Sequence, residues 1–541
     1  MSNPGRAERL SSSAGSVVFE ADVLVLGGGP AGTWAAVSAA EHGARVVLAD
    51  KGFCGTSGAT AAAGTGVWYV DPAPERREAA MASREKLGGH LQDRRWMARV
   101  LDRTYVQSNQ LAEWGYPYPV DDDGRPRRNS LQGPEYMRLM RKRTKQAGVT
   151  ILDHSPALEL LVDGNGVVAG AAGLRRQKGD RWVVNAKAVV IATGGCAFLS
   201  KTLGSNVLTG DGYLLAAEAG AEFTSMEFSN AYAISPAFGS VTKTLFYSWA
   251  SFTDEQGSVI PGASSKGGRS VIARALRKGP VYAQLDQADA ETQRHMRASQ
   301  PNFFLPFDRT GIDPFTQRFP ITLRLEGTVR GTGGLRIIDD SCATTVPGLY
   351  AAGDAATREL ISGGFTGGGS HNAAWAMSSG YWAGQGAADF ARQLGTTIWC
   401  PAFRRGTVGL RSGNGRPLQG VALARSVQDE VFPYELNYFR EAGRLGGSLR
   451  RLDALWSDAS AADAPDEQEL LRAREAAAML ATARWMYRSA LARQESRGMH
   501  RRDDYPEQDD RYLHFVTTGG LDDVWTSARP LASRQYAEAA E

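Results

Sequence analysis

The sequence predicts an α/β fold built on a parallel sheet, and three observations predict it. The first is the stretch 22–51, DVLVLGGGPAGTWAAVSAAEHGARVVLADK: an apolar strand, a glycine turn, an Ala-rich helix, a second apolar strand and a closing acid. The second is that two later segments, AKAVVIATGG (186–195) and GLYAAGDAA (348–356), again put glycines directly after a buried strand. The third is a change of texture. Residues 230–330 gain aromatics, prolines and irregular stretches, and from about residue 425 the chain turns helical.

Val23–Leu26 carries no charge and reads as a buried strand. Gly27, Gly29 and Gly32 follow with G-x-G-x-x-G spacing. In that setting Gly27 permits a tight turn, Gly29 has no side chain to block a pyrophosphate, and Gly32 lets the helix 33–42 pack close on the strand. The helix N-terminus offers N–H groups and a positive dipole end to phosphates. Asp50, after the strand Arg45–Ala49, can accept hydrogen bonds from a ribose. The Gly/Ala/Thr-rich segment after Lys51 can lay its backbone against a flat ligand. Residues 75–115 and Glu135–Ala147 carry helical patterns; Val149–Leu152 and Ala157–Val162 read as strands. Asp163-Gly164-Asn165-Gly166 is a hairpin turn, and Val167–Leu174 with Trp182–Val184 continues an antiparallel ribbon. Ala188–Ala192 is a buried strand, a helix runs from Thr209 to near Gly220, and another starts at about Ser370. Glu467–Gln494 reads as a long amphipathic helix.

A chain of 541 residues has room for several domains. With 43% hydrophobic and 22% charged residues, its composition is that of an ordinary soluble globular protein. A net charge of +3 and no block of Lys or Arg give no electrostatic reason for a nucleic-acid or membrane partner. Four cysteines, none in a C-x-x-C pair, predict no metal or iron–sulfur site held by this chain alone and fit a reducing compartment. No apolar run reaches the length of a membrane span. MSNPGRAERLSSSAGS has no apolar signal core, so residues 1–20 are expected as a disordered tail and the protein as cytoplasmic.

SGATAAAGTG (57–66), TGDGYLLAAEAGAEFTSMEF (209–228), GGRSVIARAL (267–276), GTGGLRI (331–337) and ESRGMHRRDDYP (495–506) stand in a telling order. With the three glycine-rich segments they resemble the succinate dehydrogenase/fumarate reductase flavoprotein family, which includes L-aspartate oxidase and the adenylylsulfate reductase α subunit. The resemblance implies a two-dinucleotide-binding, Rossmann-like FAD domain in two parts (21–229 and 331–395). It also implies an inserted α+β capping domain (230–330), a linker (396–424) and a C-terminal helical domain (425–541). Gly27, Gly29 and Gly32 would take the FAD pyrophosphate, and Asp50 and Lys51 the adenosine end. Ser57, Thr60, Ala61, Ala62 and Gly64 would run beside phosphate and isoalloxazine. Ala157 would touch the adenine side, Thr193, Gly194 and Asp211 the cofactor's flank, and Asp354 the ribityl chain. Asn372 and Ala373 match the helix start under the flavin carbonyls. Ala59 stands where complex-bound members carry FAD on a histidine, so non-covalent FAD is expected.

The resemblance also implies chemistry: hydride exchange at flavin N5 across a CH–CH bond, with the cap arginine, here Arg269, moving the proton. The family's carboxylate clamp is absent. Its histidines fall at Asn230-Ala231-Tyr232-Ala233-Ile234-Ser235 and Val329-Arg330, its clamp arginine at Gly363–Gly367, and its G-E-G-G loop at Ser248-Trp249-Ala250-Ser251. Each charge-assisted bond is worth about 1.5–3 kcal/mol, so the losses disfavour succinate, fumarate or aspartate. A larger or less charged substrate is expected, lined by Trp249 and Phe365. Arg330 reads as a replacement anion partner or an ordinary salt bridge, and His371 as an acid/base or a helix-capping residue. The alternatives are an amine or amino-acid oxidase resembling L-aspartate oxidase, and a flavoprotein subunit that passes electrons to an iron–sulfur partner.

Overall fold

The computed structural model describes residues 9–13, 16–56, 58–121, 123–365, 369–395, 402–411, 413 and 415–531. Its main sheet has nine strands. At its centre the strand Ser16–Leu26 lies parallel to Val46–Ala49 on one side and to Asp180–Ile191 on the other, with Leu24 opposite both Val47 and Val189. Thr150–Leu152 and Leu349–Ala351 extend the parallel part outward. Val23–Leu26, Val46–Ala49, Ala188–Ile191 and Leu349–Ala351 are buried on both faces, which is why they read as unbroken apolar runs rather than alternations. The ribbon Ala157–Val162, Val168–Arg175 joins antiparallel. The helices Pro30–Glu41 and Gly369–Gln393 pack together over this sheet.

Four features differ from the sequence reading. Arg9–Ser13 and Ser16–Leu26 pair antiparallel, so strands stand in the segment expected as a disordered tail; the alternation of Ser16–Ala21 buries Val17, Phe19 and Ala21. Trp182–Val184 and Ala188–Ala192 belong to one twelve-residue strand, Asp180–Ile191, whose polar residues fall on its half-exposed face. The helix Glu467–Ala492 is not amphipathic along its length: from Ala473 to Ala490 it is buried nearly all round, running through the middle of the C-terminal region. That region, expected as helical, also contains a hairpin, His514–Gly519 with Trp525–Pro530.

Between the two halves of the main sheet the chain forms a four-stranded antiparallel sheet, with Phe319–Glu326 between Ala231–Pro236 and Val281–Gln284, and Ser251–Thr253 at the edge. Phe303, Phe304 and Phe307 fill its core against Phe246 and Phe319. A network of fully buried ion pairs ties the last segment down. Arg493 bonds Glu227 at 2.8 Å and Glu495 at 2.7 Å, and Arg497 shares Glu495 at 2.8 Å. Two motifs far apart in the sequence, the turn Met226–Phe228 and residues 495–506, therefore meet in one core. Among the described residues no helix is long and apolar enough to cross a membrane.

Candidate active site

The carboxyl ends of the parallel strands open into one cavity of about 1850 Å³, lined by Leu26, Ala49, Ala192 and Gly353 at those ends. Gly27 has φ +110°, and a Cβ there would come within 2.3 Å of the Ala192 carbonyl oxygen, so only glycine makes this turn. Gly29 precedes the helix Pro30–Glu41, whose N-terminus no side chain caps. A Cβ on Gly29 would meet no heavy atom within 4 Å: the space in front of the helix is open. Gly32 does not line the cavity; a Cβ there would lie 1.8 Å from the Gly27 carbonyl oxygen, so its part is close packing rather than ligand contact. An uncapped helix N-terminus behind an open glycine cradle fits a pyrophosphate.

Asp50 lines the same wall and accepts from the backbone N–H groups of Gly28 and Gly52, which hold its carboxylate in place. Lys51 donates to Thr209, Asp211 and Glu475 at 2.9, 2.7 and 2.8 Å. Burial works against its charge, but the carboxylates of Asp211 and Glu475 outweigh burial and raise its pKa. Ala157, Thr193 and Gly194 line the cavity alongside. Glu475 comes from the long C-terminal helix, and nothing in its apolar pattern singles it out.

Asp354 lines the cavity with one carboxylate oxygen on Arg358; burial raises its pKa against the pull of Arg358. Thr60, Gly64, Asn372 and Ala373 are also in the wall. Ala61 and Ala62 are not: Ala61 packs inward against the cluster of Trp34 and Tyr136, and the Ala62 carbonyl takes a bond from Asn302. Ser57 lies outside the described residues.

Under the cap, Arg269 opens the helix Arg269–Leu276 and lines the cavity with Tyr232, Tyr247 and Tyr438. It makes no ion pair among the described residues; burial, then the nearby Arg330, lower its pKa. Arg330 does not stand free for an anion: it bonds the fully buried Glu326 at 3.0 Å. Glu326 also accepts from Thr242 at 2.7 Å, and although burial opposes it, Arg330 and Lys243 keep its pKa below the ordinary value. Lys243, which no sequence motif marks, lines the cavity and, among the described residues, donates only to the Ala59 carbonyl and Ser205. Burial lowers its pKa. His371 lies against Trp68 with the rings tilted and their centroids 4.5 Å apart, and burial, then Arg84, push its pKa well below the ordinary value and so keep the imidazole neutral. Phe365 lines the cavity as expected; Trp249 does not, being on the outer surface with 37% exposure.

The sequence matches a family model for an FAD binding domain over residues 22–233 and one for the fumarate reductase flavoprotein C-terminus over 429–534. The chain belongs to the succinate dehydrogenase/fumarate reductase flavoprotein family. It is 26% identical to the fumarate reductase flavoprotein subunit of Mycobacterium tuberculosis, over 92% of this chain and 93% of that one. It is 26% identical to an L-aspartate oxidase of Streptomyces coelicolor, over 93% and 92%. A solved structure of E. coli quinol fumarate reductase shares the fold with a TM-score of 0.79 at 20% identity, over 95% and 97%. The protein is thus an FAD-dependent oxidoreductase of this family, and the cavity with its glycine cradle is where its residues fit FAD.

Proposed function

We propose that this flavoprotein is a dehydrogenase or reductase acting on a CH–CH bond, with Arg269 as the proton donor or acceptor. The observation that carries the reading is Arg269 itself: a cavity-wall guanidinium with no acidic partner of its own, beside the buried Arg330–Glu326 pair. FAD, when bound, supplies the two-electron chemistry at the substrate carbon. Arg269 handles the proton at the neighbouring carbon. A free guanidinium does not release protons near neutrality; burial and the like charge of Arg330 weaken its hold. Glu326, kept ionised by Arg330 and Lys243, is the carboxylate whose charge offsets Arg269. Tyr232, Tyr247 and Phe246 exclude water from this end of the cavity. The flavin is read as non-covalent, since Ala59 lines the wall where a histidine would be needed; acid precipitation should release all the yellow colour.

The test is anaerobic. The reduced protein is mixed with α,β-unsaturated acids, and the oxidised protein with their saturated counterparts, while flavin absorbance is followed. Reoxidation or bleaching without peroxide is expected, and Arg269→Gln should slow it about 10²–10⁴-fold while leaving FAD bound. Unchanged rates in that variant would overturn the assignment. The L-aspartate oxidase relative supports a second reading, an amino-acid oxidase, for which peroxide formed from amino acids is the signature. A relative described as a flavoprotein subunit supports electron transfer to a partner, and a co-purifying brown iron–sulfur protein would establish it.

A further inference from the structure

Arg84 has no role in the reading above, and its surroundings are unusual. It lies on the helix Pro74–Gly88, is 2% exposed, and lines the cavity. One Nη donates to the Phe365 carbonyl. Nε and the other Nη are buried with no acceptor among the described residues. Three other buried arginines each have a carboxylate, although the Nε of Arg358 is also buried without an acceptor among the described residues. Arg474 has Glu218 and two carbonyls, Arg502 has Asp504 and two carbonyls, and Arg358 has Asp354 and three carbonyls. An unpaired buried guanidinium is costly and is retained where a ligand completes it. It also keeps its proton at neutral pH, because burial pushes its pKa down only to about 10. Its neighbour His371 is neutral and contributes no competing charge. Phe365 and Met499 line the cavity too and give it apolar surface.

We propose that Arg84 is the residue that binds the substrate's carboxylate, and that the substrate is a carboxylic acid with an apolar or aromatic body. The planar N–H fork of arginine matches a carboxylate, and two donors stand unused here. This deepens the CH–CH reading by naming its substrate class and rests on that reading of the cavity.

The test is binding, read from flavin difference spectra of the purified holoprotein. Cinnamate and crotonate are titrated against cinnamamide and crotonamide, which match them in shape without the charge. Wild type should bind each acid at least about tenfold more tightly than its amide, the size of one charge-assisted bond. Arg84→Gln should erase that preference by weakening the acids alone, and Arg84→Lys should restore part of it. Equal affinities in wild type, or no response to any acid, overturn the proposal, even if Arg84→Gln fails to fold. So does a preference that survives Arg84→Gln; a fall in FAD affinity with that preference intact would assign the guanidinium to the flavin instead. Full turnover in Arg269→Gln would overturn the proton assignment yet leave this binding result standing.

Discussion

Gly29 and Gly32 sit three residues apart, and the structure separates what they do. Gly29 has φ −76° and ψ −171°, extended backbone that any residue adopts, and a methyl there meets no protein atom within 4 Å. Gly29→Ala should therefore leave the apoprotein's thermal midpoint almost unchanged. The new methyl does enter the open space in front of the helix, where backbone N–H groups would meet phosphate oxygens. Each hydrogen bond to a charged group is worth about 1.5–3 kcal/mol, so each one lost weakens FAD about tenfold to a hundredfold. Gly32→Ala is the opposite case. Its Cβ would stand 1.8 Å from the Gly27 carbonyl oxygen, so helix and strand must part. Overpacking of that kind costs about 1–3 kcal/mol and should show in the apoprotein melt before any flavin is added. The assay is FAD titration of deflavinated protein by fluorescence quenching, beside thermal melts of the same samples. Wild-type FAD affinity in Gly29→Ala would refute the placement of the pyrophosphate. A lowered apoprotein midpoint in that variant would refute the claim that the space is open.

The buried ion network gives a second expectation: Arg493→Met leaves Glu227 and Glu495 without their shared cation and should cost about 3–5 kcal/mol, measured by urea denaturation. His500 gives a third. Burial, then Arg440 and Arg493, push its pKa well below the ordinary value, so the unfolded chain binds a proton that the folded chain refuses. Its contribution is whole above the unfolded pKa of about 6.5 and is lost as pH falls below it, by about 1.4 kcal/mol per pH unit. His500→Gln should flatten the fall of the urea midpoint between about pH 6.5 and 5 relative to wild type, and an unchanged slope would contradict the burial argument. His371, neutral for the same reason, should impose no ionisation on turnover near neutrality, so His371→Gln should keep the shape of the wild-type pH profile.

The nucleotide-binding half was legible because its signals are local. Strand, glycines, helix and acid fall within one short stretch, and Gly27, Asp50 and Lys51 need only their chain neighbours to be recognised. Lys51 already shows the limit, for its partner Glu475 lies 424 positions away on a helix whose apolar run hides a single acid. Ala61 and Ala62 fail in another way: a small-residue loop gives no periodicity from which to tell which side faces the ligand, and these two face protein. The pairing of Arg330 with Glu326 could have been read from an i,i+4 spacing, yet the short helix Gly327–Arg330 that creates it carries no sequence signature. Arg84 was out of reach, because its helix reads as a charged surface helix and only the fold turns that one residue inward.

The two ends of the cavity are built on different electrostatic terms. Around Lys51 the cation is already answered, with two carboxylates on one ammonium, so a ligand there need bring no negative charge of its own. Under the cap the charges do not balance. Arg84, Lys243 and Arg269 form no salt bridge among the described residues; Glu326, which offsets Lys243 and Arg269 without bonding either, is already bonded to Arg330. In a low-dielectric site such cations lose their hydration, which lowers the pKa of each. A fold that merely needed stable packing would gain by replacing them with apolar groups of the same size. Their retention transfers the missing negative charge to what binds there, and a neutral substrate would leave the whole penalty in place. Arg84 and Lys243 therefore favour an anionic ligand in this cavity, at positions where the chain pattern alone gave no reason to look.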